Sequence, residues 1–264
     1  MKIISNVEEL RSEIQSVKNA GRTIGFVPTM GALHDGHISL VERSVSENDF
    51  NVVSIFVNPT QFNNLTDLEK YPRKIEADAQ LLTATGCDLI FAPQPSDIYT
   101  VDEMKQAFEF DFGGLDKVME GKFRPGHFNG VVQIVSKLFA LVCPVKAYFG
   151  EKDFQQLAII HRMVNVLNMS VEIVDCPIVR ESGGLAMSSR NERLTPEQRK
   201  IAVNISKILS ESRNFVPDLN PVELKHLVTE RLNEIDGLEV EYYEIANIET
   251  LQTATNWEKP TVGC

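Results

Sequence analysis

Through its first two thirds the chain alternates short runs rich in β-branched and aromatic residues, at 23–27, 52–57, 89–92, 147–149 and 171–174, with stretches of helical periodicity. Leu157, Ile160, Val164 and Leu167 recur at helical spacing, as do Ile38, Val41 and Val45. Runs this short and continuously apolar suit strands buried on both faces, and strands separated by helices pair in parallel through crossovers. The expected fold is therefore α/β: a Rossmann-like parallel sheet with helices on both faces. Past Pro177 the texture changes to a Gly and Ser loop, a helix start at Thr195-Pro196-Glu197, a polar helical segment and an alternating strand over 239–245. This predicts a first domain over residues 1–177 and a smaller C-terminal α+β domain over residues 178–264.

The chain has 264 residues, 43% of them hydrophobic and 24% charged, enough to bury an ordinary core in one large or two moderate domains. Lys and Arg number 26 against 37 Asp and Glu, a net charge of −11, and no basic run interrupts the surplus. Nucleic acid and anionic membrane are disfavoured as partners, since both need positive charge at least locally. An anionic substrate must instead be met by a few Lys, Arg, His and backbone N–H groups focused in one cleft. The opening MKIISNVEEL carries Glu8 and Glu9, and the most apolar long window, 131–149, is broken by Gln133, Lys137 and Lys146. Neither a signal peptide nor a membrane span is expected, and the expected location is the cytoplasm. Cys87, Cys143, Cys176 and Cys264 are scattered with no C-x-x-C pair, which suits reduced thiols.

Open parallel sheets bind ligands beyond the C-terminal ends of their strands. Four strand or candidate-strand ends here lead into loops rich in polar chemistry. The first reads Pro28-Thr29-Met30-Gly31-Ala32-Leu33-His34-Asp35-Gly36-His37 and runs from a strand into a helix. Its glycines permit tight turns, and two imidazoles three residues apart at a helix N-terminus form a phosphate site. The competing readings are a zinc pair or surface histidines, but no Cys or acidic motif completes a metal set. The second loop, Asn58-Pro59-Thr60-Gln61, offers neutral amides to a small polar substrate, although by itself it reads as a turn. The third, Lys122-Phe123-Arg124-Pro125-Gly126-His127-Phe128-Asn129-Gly130, reads equally as a structural elbow, with Arg124 paired to a surface carboxylate, or as an anion-contacting loop. The fourth, Phe149-Gly150-Glu151-Lys152-Asp153, puts Lys152 at a helix start, which is unfavourable unless an anion is bound there. Its bland alternative is a helix capped by Asp153 with Lys152 solvated.

Further on, Met187-Ser188-Ser189-Arg190-Asn191 follows Gly183 and Gly184, a glycine-hinged loop suited to closing over a triphosphate. There is no G-x-G-x-x-G, G-x-x-x-x-G-K-[ST] or G-x-S-x-G, so dinucleotide oxidoreductase, P-loop kinase and serine hydrolase lose their main support.

Together PTMGALHDGH, SIFVNPTQF, RPGHFNGV, YFGEKDFQQL and GLAMSSRN, in this order over about residues 24 to 194, resemble the pantothenate synthetase (pantoate–β-alanine ligase) family. That family belongs with the nucleotidylyltransferases and class I aminoacyl-tRNA synthetases, whose H-x-G-H mark is matched by His34, Asp35, Gly36 and His37. The resemblance implies activation of (R)-pantoate by ATP to pantoyl adenylate with release of pyrophosphate, then attack by β-alanine to give pantothenate and AMP. It implies that Met30, Gly31, Ala32, Leu33, His34, Asp35, Gly36 and His37 bind ATP, with His37 donating a proton to the departing phosphate. Gly150, Glu151, Lys152, Asp153, Val179, Met187, Ser188, Ser189 and Arg190 would complete the nucleotide site. His34, His37, Lys152 and Arg190 are the expected catalytic cations, helped by Mg²⁺ whose ligands the sequence leaves open. Gln61 and Gln156 would hold pantoate, with Gln61 also close to β-alanine; Asn58, Arg124 and His127 are further substrate candidates. A homodimer is implied as well. After Trp257 the chain stops at Thr261-Val262-Gly263-Cys264, which reads as the opening of a strand where the family continues. The expectation is a shortened small domain with an open strand edge.

Overall fold

A computed structural model of the chain describes every residue except Ala107 and Pro217, and leaves aside the side chains of Leu65 and Lys105. Six strands, β1 (Lys2–Ile4), β2 (Ile24–Thr29), β3 (Phe50–Ile55), β4 (Leu89–Phe91), β5 (Lys146–Gly150) and β6 (Glu172–Cys176), form one sheet in the order β1-β4-β3-β2-β5-β6. Every pairing in it is parallel. β1, too short to carry a sequence signal of its own, pairs Lys2–Ile4 with Leu89–Phe91. The other five strands begin and end within a few residues of their expected places.

Strand residues alternate between the two faces, and both faces are covered. On one, Val27, Val53, Ile90, Tyr148 and Val174 pack against Leu40 and Val41 of helix α2 (Asp35–Glu47), the helix after α1 (Val7–Asn19), and Leu82 of the helix Ile75–Thr83. On the other, Phe26 meets Phe139 of the helix His127–Val142 edge-on, with ring centroids 6.1 Å apart. This double burial is why the strands are continuously apolar. Gly25 sets how close α2 lies to the sheet: a Cβ there would fall 2.2 Å from Ser44 Oγ and 2.5 Å from Asn48 Nδ2.

The chain divides into two compact units, one of residues Met1–Phe112 and Arg124–Pro177, the other of Gly113–Phe123 and Ile178–Cys264. The segment Gly113–Phe123, which the sequence texture assigns to the first domain, clusters with the second unit, and its Phe123 stacks on Tyr242 at 5.3 Å. The second unit contains helices Pro196–Ser212 and Pro221–Asn233 and an antiparallel pair, β7 (Ile245–Asn247) with β8 (Thr261–Gly263). Thr195 and Gln198 form the capping box that starts the first of these helices. The strand expected over 239–245 is corrected to β7 alone. Leu238, Val240 and Tyr243 do pack into the core of this unit, yet the Val240 N–H goes to Asn233 Oδ1 and, among the described residues, no strand partner runs along most of the segment. Val240, Tyr243 and Ile245 turn inward while Tyr242 is exposed, so burial does not follow the strand alternation of the sequence.

Candidate active site

Outward from the centre of the sheet, β2, β3 and β4 proceed one way and β5 and β6 the other, so the order reverses between β2 and β5. In open α/β sheets that reversal opens a crevice at the C-terminal strand ends. The residues that leave β2 and β5 at that end are Met30 to His34 and Glu151 to Asp153, two of the four loops singled out from sequence.

The first loop is tightly determined. Thr29 Oγ1 donates to Ser54 O at 2.7 Å and accepts from the Gly31 N–H at 3.1 Å, tying the end of β2 to β3. Gly31 and Ala32 both adopt left-handed backbone, φ +80° and +51°, the second costly for a residue with a Cβ. The N–H groups of Ala32 and Leu33 point to Asp78 Oδ2 and Oδ1 at 3.0 and 2.8 Å. They are therefore spent within the protein rather than offered to an anion.

His34 is the N-cap of α2 and His37 its third residue, and the two imidazoles form a reciprocal capping box. Gly36 N–H donates to His34 Nδ1 at 3.2 Å, His34 N–H reaches His37 Nδ1 at 3.4 Å, and the ring centroids are 4.1 Å apart. A ring nitrogen that accepts from a backbone N–H carries no proton, so in the neutral rings the proton sits on Nε2. Loss of hydration in the half-buried loop, then the neighbouring His34 and Lys152, push the His37 pKa down to about 3. Both the acceptor role of Nδ1 and the lowered pKa favour a neutral Nε2–H donor at His37 in the ligand-free protein, where the sequence motifs suggest a cation. The same coupling shows that Lys152 lies within electrostatic reach of His37.

Gln61 follows β3 on the turn Pro59–Gln61 and is 8% exposed. Its Nε2–H meets Met30 Sδ at 2.9 Å, which joins this turn to the β2 loop, while its Oε1 accepts from Asn58 Nδ2 at 3.2 Å. Asn58, 1% exposed, is engaged internally: Nδ2 also donates to Gly130 O at 3.0 Å, and Oδ1 accepts from Tyr99 at 2.8 Å and Thr60 at 3.1 Å. It orients Gln61 rather than offering itself to a substrate. His127, 6% exposed, donates from Nδ1 to Gln61 O at 2.8 Å, and Arg124 reaches the same carbonyl at 3.4 Å. Arg124 and His127 thus share this carbonyl. Gly130 is required here because a Cβ would lie 2.5 Å from Thr60 O and 2.6 Å from Gln61 N, both backbone atoms.

After β5, Gly150 has an ordinary φ of −82° and a Cβ there would meet nothing within 4 Å, so nothing in the protein demands glycine. Lys152 Nζ pairs with Asp153 Oδ1 at 3.1 Å. Asp153 stands at the N-cap of the helix Phe154–Val166 without making a cap hydrogen bond, so the capping alternative does not hold. Gln156 lies half-buried on the first turn of that helix.

In the second unit Val179 O accepts from Met187 N–H at 3.0 Å across a small antiparallel turn in which Gly184 has φ +92°. Ser188 Oγ accepts from the Arg190 N–H at 3.3 Å and begins the short 3-10 turn Ser189–Arg193. Arg199 is held on Glu181 at 2.6 Å, and Asn191 bonds the same carboxylate at 2.9 Å and Ala186 O at 3.0 Å. Glu181 and Arg199 thus brace the Met187–Arg190 segment, and neither carries a sequence signal. Asp78 carried a weak one, a lone carboxylate on the apolar stripe of Ile75, Ala79 and Leu82. Among the described residues no group of three or more His, Cys, Asp or Glu side chains could hold a metal ion, and no helix is long and apolar enough to cross a membrane.

The model of the pantoate-beta-alanine ligase family matches residues 2–263. The pantothenate synthetase of Bacteroides thetaiotaomicron is 52% identical over 266 residues, covering 100% of this chain and 93% of that protein. The pantothenate synthetase of Porphyromonas gingivalis is 52% identical over 266 residues, with 100% and 94% covered. Among solved structures, pantothenate synthetase from Thermus thermophilus matches with a TM-score of 0.92 at 42% identity, covering 100% of this chain and 93% of that one. The pantoate-beta-alanine ligase from Francisella tularensis, complexed with beta-gamma ATP and beta-alanine, matches at 0.83 and 37% identity, covering 97% of each chain. The chain belongs to the pantoate-beta-alanine ligase family.

Proposed function

We propose that this chain condenses (R)-pantoate with β-alanine at the expense of ATP, giving pantothenate, AMP and pyrophosphate through a pantoyl adenylate. The observation that carries the reading is the grouping at the β2/β5 reversal of His34, His37 and Lys152, with Gln61 bonded to Met30 of the same loop. A carboxylate oxygen of pantoate attacks the α-phosphorus of ATP, the bond to the bridging oxygen breaks, and pyrophosphate departs. The difficulty is anion meeting anion, so positioning and donors aimed at the phosphates do the work. His34 and His37 serve through Nε2–H, and Lys152 supplies full charge. Proximity to the triphosphate raises the His37 pKa and prepares it to protonate the departing group. The β-alanine nitrogen then attacks the acyl carbon, the acyl–phosphate ester bond breaks, AMP leaves with the bridging oxygen, and the amine proton passes to solvent. No protein nucleophile is needed, and burial pushes the Cys87 thiol up to about 11.

Gln61 and Gln156 are assigned to pantoate, with Gln61 presenting N–H because Asn58 occupies its oxygen. Asn58, Arg124 and His127 hold Gln61 in place. Met30 to His37, Gly150 to Asp153, Val179 and Met187 to Arg190 are assigned to the nucleotide, the contacts of Ala32 and Leu33 being by means other than their N–H groups. Mg²⁺ would enter with ATP, held largely by phosphate oxygens and water, and would offset charge on the phosphates. A cytoplasmic homodimer completes the reading.

The test is an assay with ATP, Mg²⁺, pantoate and β-alanine omitted in turn. Pyrophosphate on a single-turnover scale without β-alanine, and AMP turnover only with it, are expected. Transfer of AMP to a phosphorylated acceptor instead would assign a nucleotidylyltransferase, and silence in every complete mixture would contradict the ligase reading.

A further inference from the structure

Asp78 lies more than forty positions after the loop it touches, on the helix Ile75–Thr83, and is 2% exposed. Its two carboxyl oxygens take two consecutive backbone N–H groups, those of Ala32 and Leu33. Between them these residues make the left-handed step at Ala32 and the approach to His34. A non-glycine residue in that conformation is strained and persists only where its surroundings over-determine it. Asp78 supplies two such constraints. Gly31 admits it, since a Cβ at position 31 would stand 2.9 Å from Asp78 Oδ2 and 2.9 Å from Ile55 Cγ2. His34, the residue after Leu33, is the cap from which both imidazoles take their orientation.

We propose that Asp78 is a positioning residue for the phosphate-facing histidines: by gripping Ala32 and Leu33 it fixes the backbone entering α2, and with it the ring geometry of His34 and His37. The catalytic consequence rests on the ligase reading above. Because the grip consumes two loop N–H groups, the loop addresses its anion through the two Nε2–H donors. The orientation of those rings therefore carries more of the catalysis than in a loop that binds phosphate through its amides.

The experiment compares wild type with Asp78→Asn, which keeps the shape and one acceptor, and Asp78→Ala, which keeps neither. Two readouts are taken: pantoate-dependent pyrophosphate release, normalised to folded protein, and the imidazole ¹⁵N–¹H correlations of the ligand-free protein. A misplacement of about 1 Å costs roughly 100-fold in rate, so Asp78→Ala is expected to lose about that much kcat. Asp78→Asn should lose about a tenth of that factor, and KM for ATP and pantoate should stay within about threefold of wild type in both. The His37 ring signals should leave the Nε2–H pattern. Folded variants that keep wild-type kcat and ring signals, or that lose only thermal stability, would overturn the proposal. If Asp78→Ala does not fold, Asp78→Asn decides. If wild type itself releases no pantoate-dependent pyrophosphate, the ligase reading falls while the ring signals still decide whether Asp78 sets the histidine geometry.

Discussion

A neutral His37 changes what the H-x-G-H segment contributes before ATP arrives. The sequence motifs place both histidines among the catalytic cations. Their hydrogen bonds make each Nδ1 an acceptor, and desolvation takes the His37 pKa to about 3 against an ordinary 6.5. The folded value lies below the unfolded one, so the unfolded chain binds the extra proton between pH 6.5 and 3. This group's effect on stability therefore becomes unfavourable as pH falls through 6.5. Two outcomes follow: the His37 imidazole of the ligand-free protein, followed by NMR, stays neutral down to about pH 5, and its titration moves upward when ATP is added. A ligand-free pKa near the ordinary histidine value would refute the assignment. His37→Ala is expected to depress adenylate formation by about 100-fold, within the range for a general acid, while nucleotide titration shows a smaller loss of ATP affinity. Gln156→Ala should mainly raise the pantoate Kd; a selective loss of ATP affinity would show the cleft divided differently.

At the scale of elements, what the sequence made legible was each strand–loop–helix unit, because apolar runs and glycine-flanked polar clusters are local signals. β2 with its H-x-G-H loop, and β5 with Gly150 and Lys152, were readable in this way. The partners that hold these loops were not, since Tyr99, Glu181 and Arg199, and Asp78 beyond its weak local signal, act across sequence separations that no periodicity records. β1 is too short, at three residues, to leave a pattern, and the apolar residues at 240, 242, 243 and 245 look like a strand although the ladder is β7 alone, Ile245–Asn247. Gly130 tests how strictly an element sets the site. Gly130→Ala drives a Cβ into the backbone of Thr60 and Gln61, and should cost about 1–3 kcal/mol as overpacking while raising KM for pantoate. Chemical denaturation and steady-state kinetics measure both, and an unchanged KM would mean that Gln61 is not where pantoate binds.

Over the whole molecule, a chain of net charge −11 handling anionic substrates needs its donors focused at one place, and the first unit sets the imidazoles of His34 and His37 together with Lys152 where its sheet order reverses. The family match spans residues 2–263, so the resemblance first carried by motifs over about residues 24–194 extends through the second unit as well. The Met187–Arg190 segment of that unit is braced internally by Glu181 and Arg199. The central claim is that pantoate's own carboxylate oxygen becomes bonded to the α-phosphorus of ATP. The most direct measurement uses pantoate labelled with ¹⁸O in its carboxylate, with mass analysis of the AMP and pyrophosphate formed alongside pantothenate. The account predicts one ¹⁸O in each AMP and none in pyrophosphate; unlabelled AMP, or label in the pyrophosphate, would contradict it.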